Sequence, residues 1–305
     1  FTGDAGQGES NIRRWIIEND WLEAIIALPE NMFYNTGIAT YIWVLSNRKP
    51  EPRRGKVQLI DATQWFRPLR KNLGKKNCEL GEEDIRRIVD TFLAFSRETE
   101  QSKVFPNQAF GYWKVTVERP LRLKVALSEA SLKRFRKACA EADDAEFAGF
   151  AGHLAESLGP GPHDDYNHFL EQAEAAAAQV HVKLTAKRLK LLQNSLAERD
   201  GHAAKVINRL HKPGKAKPDP LHGRFGLEHG KKTQVVEYEP DPELRDTEQI
   251  PLLEAGGIEG FFQREVLPHA PDAWSDESAT RIGYEISFTR YFYRPQPLRT
   301  LDEIR

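Results

Sequence analysis

Asp20-Trp-Leu-Glu-Ala-Ile-Ile-Ala-Leu-Pro29, followed by Asn31-Met-Phe-Tyr-Asn-Thr-Gly-Ile-Ala-Thr-Tyr-Ile-Trp-Val-Leu-Ser-Asn47, decides how this chain is read. Glu23 to Leu28 is short, apolar and closed by Pro29, which suits a strand buried on both faces. Asn35-Thr-Gly37 reads as a turn, and Ile38 to Ser46 is rich in β-branched and aromatic residues, as a second strand is. Upstream, Gly3 to Ser10 is a loop of small residues. Ser10 is placed to cap a helix whose apolar positions are Ile12, Trp15, Ile16 and Trp21. Downstream, Arg48 to Gly55 is a charged connection and Lys56-Val-Gln-Leu-Ile-Asp61 a third strand. Helix, buried strand, loop and buried strand are the tail end of an α/β sheet. The chain opens without Met, in the middle of an element, and so reads as the back half of a larger protein.

Composition narrows the function classes. At 305 residues, with 40% hydrophobic content, six Trp and sixteen Phe, the chain has length for about two domains and apolar mass for real cores. The net charge of -1 gives no global field towards nucleic acid or membrane. Its distribution is less even. Arg48 to Lys76 carries ten Lys/Arg against two acids, Glu141 to Glu174 nine acids and no Lys/Arg, and Lys183 to Lys217 again ten Lys/Arg against two acids. Such blocks are solvated faces in most proteins, and two of them also suit DNA phosphates or an acidic partner. Cys78 and Cys139 stand alone without metal spacing, as reduced cytosolic thiols do. No apolar run approaches the roughly 20 residues that span a bilayer. The expected location is the cytoplasm, with no membrane partner and no metal.

Farther along, Ala62 to Leu123 is irregular. It holds a basic loop, Arg67 to Lys76, and a helix from Glu82 to about Ser96. Ser128 to about Lys212 is helical in pattern and broken by Gly159-Pro-Gly-Pro162. Tyr166 to Glu198 reads as one long helix or a pair. Pro213 to Pro220 is a linker in composition, and Asp241 to Arg305, rich in Pro, aromatic and charged residues, reads as an extended arm. The domain reading is therefore 1–61, the C-terminal part of an α/β domain; 62–125, an extension packed on it; 126–212, helical; 213–234, a linker; and 235–305, an arm for assembly. The fold class is α+β and mainly helical.

Chemistry-bearing motifs are few. Gly3-Asp-Ala-Gly-Gln-Gly8 lacks the GxGxxG spacing of a dinucleotide loop, and no Ser/His/Asp or Cys/His arrangement stands out. The sharper signal is Asn31-Met-Phe-Tyr-Asn-Thr-Gly37, an aromatic pair on a loop between two buried strands, where α/β sheets place working residues. Closure of the core edge by Phe33 explains the same residues equally well.

Phe1 to Arg48, Gly55-Lys-Val-Gln-Leu-Ile-Asp61, Lys71-Asn-Leu-Gly-Lys-Lys76 and Phe110-Gly-Tyr-Trp-Lys-Val-Thr-Val-Glu-Arg-Pro-Leu-Arg122 resemble the modification subunit of type I restriction-modification systems, the N6-adenine DNA methyltransferases. Asp241 to Pro251, Arg264 to Trp274 and Ile282 to Tyr293 resemble the long-tailed members of that family. The likeness covers nearly the whole chain and is weakest between about residues 126 and 180. It implies a parent enzyme that moves a methyl group from S-adenosylmethionine to adenine N6 in double-stranded DNA. Its implied fold is the last strands and helix of a Rossmann-like methyltransferase sheet, then a helical region and the arm. In that family the cofactor sits on a glycine-containing loop and an Asn-Pro-Pro-Phe or Asn-Pro-Pro-Tyr segment holds the target amino group; this sequence has no Asn-Pro-Pro. The chain alone is therefore expected to be inactive, with no cofactor bound and no catalytic residue of its own.

What the resemblance assigns to this chain is the wall of the base pocket. Phe33, with Tyr34 beside it, matches the aromatic position that stacks on an extruded adenine. Arg67, Arg70, Lys71, Lys75 and Lys76 are DNA-backbone candidates, against the plainer reading of a solvated loop. The Tyr166–Glu198 helices and the arm are candidates for binding the specificity subunit, with the restriction subunit as a further partner; ordinary self-packing accounts for most of their apolar residues. The alternative function is a non-catalytic DNA-binding or assembly module, and a helical scaffold unrelated to nucleic acid is the third reading.

Overall fold

Leu22–Ala27 forms a strand in which all six residues are buried. A strand covered on both faces demands a continuous apolar run, because neither parity of side chain meets water. The computed structural model describes residues 3–95, 97–229 and 232–293. Their helix and strand content is nearly balanced, a mixed α+β chain rather than the mainly helical one expected. The described residues form two compact units. One holds 3–114, 249–260 and 281–293; the other holds Val115–Glu248 and Phe261–Thr280.

In the first unit the order is α1 (Gly8–Glu18), β1 (Leu22–Ala27), β2 (Tyr41–Leu45), β3 (Lys56–Asp61), β4 (Arg67–Leu73), β5 (Lys76–Glu79), α2 (Glu82–Leu93) and β6 (Ser102–Pro106). Four of the strands make one sheet, β2-β1-β3-β6, with β1 parallel to β3 and antiparallel to β2. Side-chain parity divides its core. Ile25 and Ala27 of β1 with Val57 and Leu59 of β3 join Ile17 of α1 on one face. Ile26, Leu28 and Ile60 join Trp65 and Ile88 on the other. At roughly 25 cal/mol per Å2 of apolar surface, these two clusters are the main stabilising term of the unit.

Three expectations change here. Helix α1 begins after Gln7, so Ser10 lies inside it, fully buried, instead of capping it. The inward face is Ser10, Arg13 and Ile17, while Ile12 and Trp15 are 60% and 57% exposed. The reason is backbone satisfaction. Ser10 Oγ accepts the Tyr284 N–H at 3.1 Å, and Arg13 Nε donates to the Tyr284 carbonyl at 2.7 Å, so polar residues on α1 pair both main-chain groups of one residue. Residues 281–293 are accordingly not an extended arm. Tyr284, Ile286 and Phe288 fill the α1 side of the sheet core. Residues 294–305, the end of the expected arm, lie outside the described residues, as do Phe1, Thr2 and Ser96.

A second polar knot closes the turn into β1. Asp20, at φ 56°, accepts through Oδ1 from Lys49 Nζ (2.6 Å) and Asn107 Nδ2 (2.9 Å) and through Oδ2 from the Gly55 N–H (2.9 Å). Lys49 is almost wholly buried and also donates to the Lys56 carbonyl.

The chain passes between the units along β7 (Gly111–Glu118), β13 (Asp246–Pro251) and β14 (Trp274–Tyr284). The second unit begins its own elements with β8 (Leu123–Val125). Next come α3 (Glu129–Glu141), α4 (Ala145–Leu158), α5 (Tyr166–Gln179), α6 (Ala186–Leu196), β9 (Ala197–Arg199) and β10 (Ile207–Leu210). Each of the four helices has a side-chain N-cap, from Ser128, Asp144, Asp165 and Thr185 in turn. Phe135, Phe147, Leu154, Phe169 and Leu192 are the fully buried centre of its core. Residues 213–234, expected as a linker, contain β11 (Arg224–His229) and lead into β12 (Lys232–Tyr238), its antiparallel partner. The Lys/Pro-rich run that precedes β11 hides the strand in composition, and pairing with β12 supplies its backbone bonds. Two short helices, α7 (Gly257–Phe261) and α8 (Phe288–Phe292), complete the described elements of this kind.

Burial alone pushes the Asp20 carboxyl pKa up, but the bonds from Lys49, Gly55 and Asn107 outweigh it and hold the group below its ordinary value. A depressed folded pKa contributes stability that is whole above the unfolded value and is lost as pH falls towards the folded one. Asp20→Asn is therefore expected to cost about 2 kcal/mol in urea unfolding at pH 7, since it leaves Lys49 buried with one partner fewer. The gap to the parent should narrow as pH drops through the carboxylate range; a gap independent of pH would contradict this account.

Candidate nucleic-acid interface

The loop from Leu28 to Thr40 joins β1 to β2, and its neck is closed by the Leu28 N–H donating to the Thr40 carbonyl at 2.9 Å. Asn31 takes φ 56°, a left-handed conformation that Asn tolerates better than most residues. A bridge between Phe33 and Thr36 then folds the tip back on itself. The turn so formed carries Phe33 and Tyr34 outward, 45% and 61% exposed. Phe33 therefore does not close the core edge.

Arg67 to Lys76, expected as a basic loop, is an antiparallel hairpin of β4 and β5, with Arg67 opposite Glu79, Pro68 opposite Cys78 and Leu73 opposite Lys76. Alternating strand geometry was masked by the density of charge. The hairpin is bonded main chain to main chain with the aromatic loop. The Lys75 N–H donates to the Tyr34 carbonyl at 2.9 Å, and the Asn77 N–H to the Asn31 carbonyl at 3.0 Å. Gly74 makes the approach possible. It sits at φ 62°, and a Cβ there would stand 2.8 Å from the Tyr34 oxygen. Aromatic tip and basic hairpin are thus one surface.

The five candidate cations are not equivalent. Arg67 is paired with Glu79 at 2.8 Å, so much of its charge is answered within the hairpin. Arg70, Lys71 and Lys75 are exposed, Lys76 is half-buried, and these four form no ion pair among the described residues. Cys78 of β5 is buried. Its thiol donates to the Glu30 carbonyl at 3.2 Å, and burial pushes its pKa up, which suits a packing role rather than a reactive one.

A cleft that no sequence motif marks lies beside this surface. It has a volume of about 710 Å3 and is lined from the aromatic loop (Asn31), the turn after β3 (Thr63, Gln64, Phe66) and the hairpin (Asn72, Asn77). Phe66 is 40% exposed, and nothing in Ala62-Thr-Gln-Trp-Phe66 marks it out as sequence. Among the described residues no three His, Cys, Asp or Glu side chains converge as a metal site. The Gly3–Gly8 loop is tied down by polar contacts within its own unit. The Asp4 carboxylate is ion-paired with Lys114 and accepts the Ala5 N–H, and Arg13 holds the Gly3 carbonyl. Stacking faces, cations and amides are what this surface supplies.

A model of the family N-6 DNA Methylase matches residues 4–109, which includes the whole of this surface. The MjaIX methylase subunit of a type I restriction enzyme from Methanocaldococcus jannaschii is 36% identical over 100 residues, 33% of this chain and 17% of that protein. The MjaVII methylase subunit of the same organism is 42% identical over 89 residues, 28% of this chain and 15% of that protein. A solved type I restriction-modification methyltransferase subunit from Streptococcus thermophilus is 23% identical, with a TM-score of 0.30 over 34% of this chain and 21% of that one. The chain spans less than a fifth of the length of these two curated relatives.

Gly74→Ala is expected to strain the left-handed turn and push the Tyr34 carbonyl away, by about 1–2 kcal/mol. Hydrogen exchange at the Lys75 and Asn77 amides should speed up by roughly tenfold while β1 and β3 amides stay protected. Unchanged exchange at those two amides would show that the hairpin does not depend on this contact.

Proposed function

We propose, from the match of residues 4–109 to the N-6 DNA Methylase family model, that this chain is the adenine-holding and assembly portion of a type I modification subunit. The parent enzyme transfers a methyl group from S-adenosylmethionine to adenine N6 in double-stranded DNA. On this reading β2-β1-β3-β6 is the closing part of a Rossmann-like methyltransferase sheet. S-adenosylmethionine supplies the methyl group, bound outside this chain, as is the Asn-Pro-Pro segment that holds the amino group. The chain alone is inactive.

The observation that supports this most is the exposed Phe33–Tyr34 tip bonded to the basic hairpin. An enzyme that modifies a base inside a duplex must take that base out of the stack. The Phe33 ring offers a face to the extruded adenine, worth roughly 1–3 kcal/mol. Tyr34 stands beside it. Its carbonyl is fixed by Lys75, so the tip is held without help from its exposed rings. Arg70, Lys71, Lys75 and Lys76 meet backbone phosphates flanking that base, and Arg67 contributes least because Glu79 already answers it. The second unit, with the Tyr166–Glu198 helices, carries the surfaces for the specificity subunit and beyond it the restriction subunit, in the cytoplasm.

Phe33→Ala in the full-length subunit is expected to lower adenine methylation at least tenfold with duplex affinity little changed; full turnover would sink the stacking role. Lys75→Glu with Lys76→Glu should reduce the slope of log affinity against log salt by about two. An unaltered slope would return the hairpin to the class of solvated charge.

A further inference from the structure

Resting on the reading that this surface meets DNA, we propose that the cleft beside the aromatic tip is a second base site, which takes an unstacked nucleobase next to the one held at Phe33. The cleft is shaped for a neutral, edge-presenting ring. Asn31, Gln64, Asn72 and Asn77 line it, and their carboxamides make no hydrogen bond to another described residue. No Lys or Arg is among its lining residues, whereas Glu30 is. A phosphate is therefore disfavoured inside. Arg70 and Lys71 stand on β4 outside the lining, where a backbone that delivers a base would run.

Phe66 supplies the face. It is large, apolar and 40% exposed, with no share in either core cluster of its unit. The turn that carries it is rigid. Thr63 Oγ and N–H both donate to Asp61 Oδ1, at 2.6 and 3.1 Å, and the Trp65 N–H donates to the Ala62 carbonyl at 3.0 Å. Trp65 is buried under the Arg87 guanidinium, 4.4 Å from its ring centre. With Trp65 anchored inward, Phe66 is presented to the cleft at little further ordering cost. An aromatic face flanked by carboxamides is what a base requires. The ring stacks, and each amide pairs one donor and one acceptor with a base edge, as Asn and Gln do with adenine. Asn31 lines this cleft and stands two residues before Phe33 in the same loop, which makes the two sites neighbours along the chain.

The test uses the full chain and a labelled duplex of about twenty base pairs that contains one unpaired adenine, with 2-aminopurine at the adjacent position. Phe66→Leu and, separately, Gln64→Ala are expected to weaken binding about fivefold and to brighten the bound 2-aminopurine, while Phe66→Tyr keeps both readings at parent level. Gln64 is exposed, so that variant also serves as a folding-neutral check, with melting temperature unchanged. If the parent chain binds this duplex but Phe66→Leu and Gln64→Ala leave both binding and 2-aminopurine brightness at parent level, the second site is overturned and the Phe33 reading, which methylation by the full-length subunit tests, stands. If the parent chain binds neither this duplex nor its fully paired counterpart, the DNA reading itself falls, and the second site with it.

Discussion

Burial of β1 on both faces is the constraint from which the first unit follows. A strand with no solvent face must be covered twice, and the parity of its side chains sends Ile25 and Ala27 one way and Ile26 the other. One cover comes from α2 and Trp65, close in sequence. The other draws on Tyr284, Ile286 and Phe288, some 260 residues away, together with α1. Ser10 and Arg13 look misplaced on a helix face that meets a core, until the Tyr284 main chain is seen between them. Their polarity pins the distant segment where the sheet needs apolar cover.

The interface inherits its order from that sheet. β1 ends at Ala27 and β2 resumes at Tyr41, both held by pairing, so the intervening loop is tethered at both ends. Two main-chain bonds from the hairpin then fix its tip. Because carbonyl and amide groups make these bonds, they ask nothing of side-chain identity except at Gly74. The exposed side chains are thereby spared from holding the surface together: two rings on the tip, four cations without an ion-pair partner among the described residues, and the carboxamides and Phe66 of the cleft. Charge is graded across the surface, from the Glu79-paired Arg67 to the solvated Lys75.

Legibility was uneven for physical reasons. The strands β1, β2 and β3 lie within a few residues of where Glu23–Leu28, Ile38–Ser46 and Lys56–Asp61 predicted them, since continuous apolar runs have few other solutions. The second unit's helices also carry local signals, Ser128 and Thr185 as caps among them. The orientation of α1 is not legible in its sequence, because periodicity counts apolar residues and carries no trace of the unpaired backbone that its polar face meets. The hairpin β4–β5 was hidden by its charge, β11 by a Lys/Pro-rich approach, and the core role of residues 281–293 by the absence of helical period.

By itself the sequence determined the sheet strands, the aromatic pair between two of them, the clustering of basic residues and, through long ordered motifs, a resemblance to DNA methylases. All of these are local, carried by residues a few positions apart. Only the tertiary structure decided that Phe33 and Tyr34 face solvent, that the basic stretch is a hairpin bonded to their loop, and that four carboxamides and Phe66 share one cleft. Those facts depend on hydrogen bonds between main-chain groups some 40 residues apart, such as Lys75 to Tyr34. Backbone groups are the same in every residue, so the pairing they choose leaves almost no mark on the sequence.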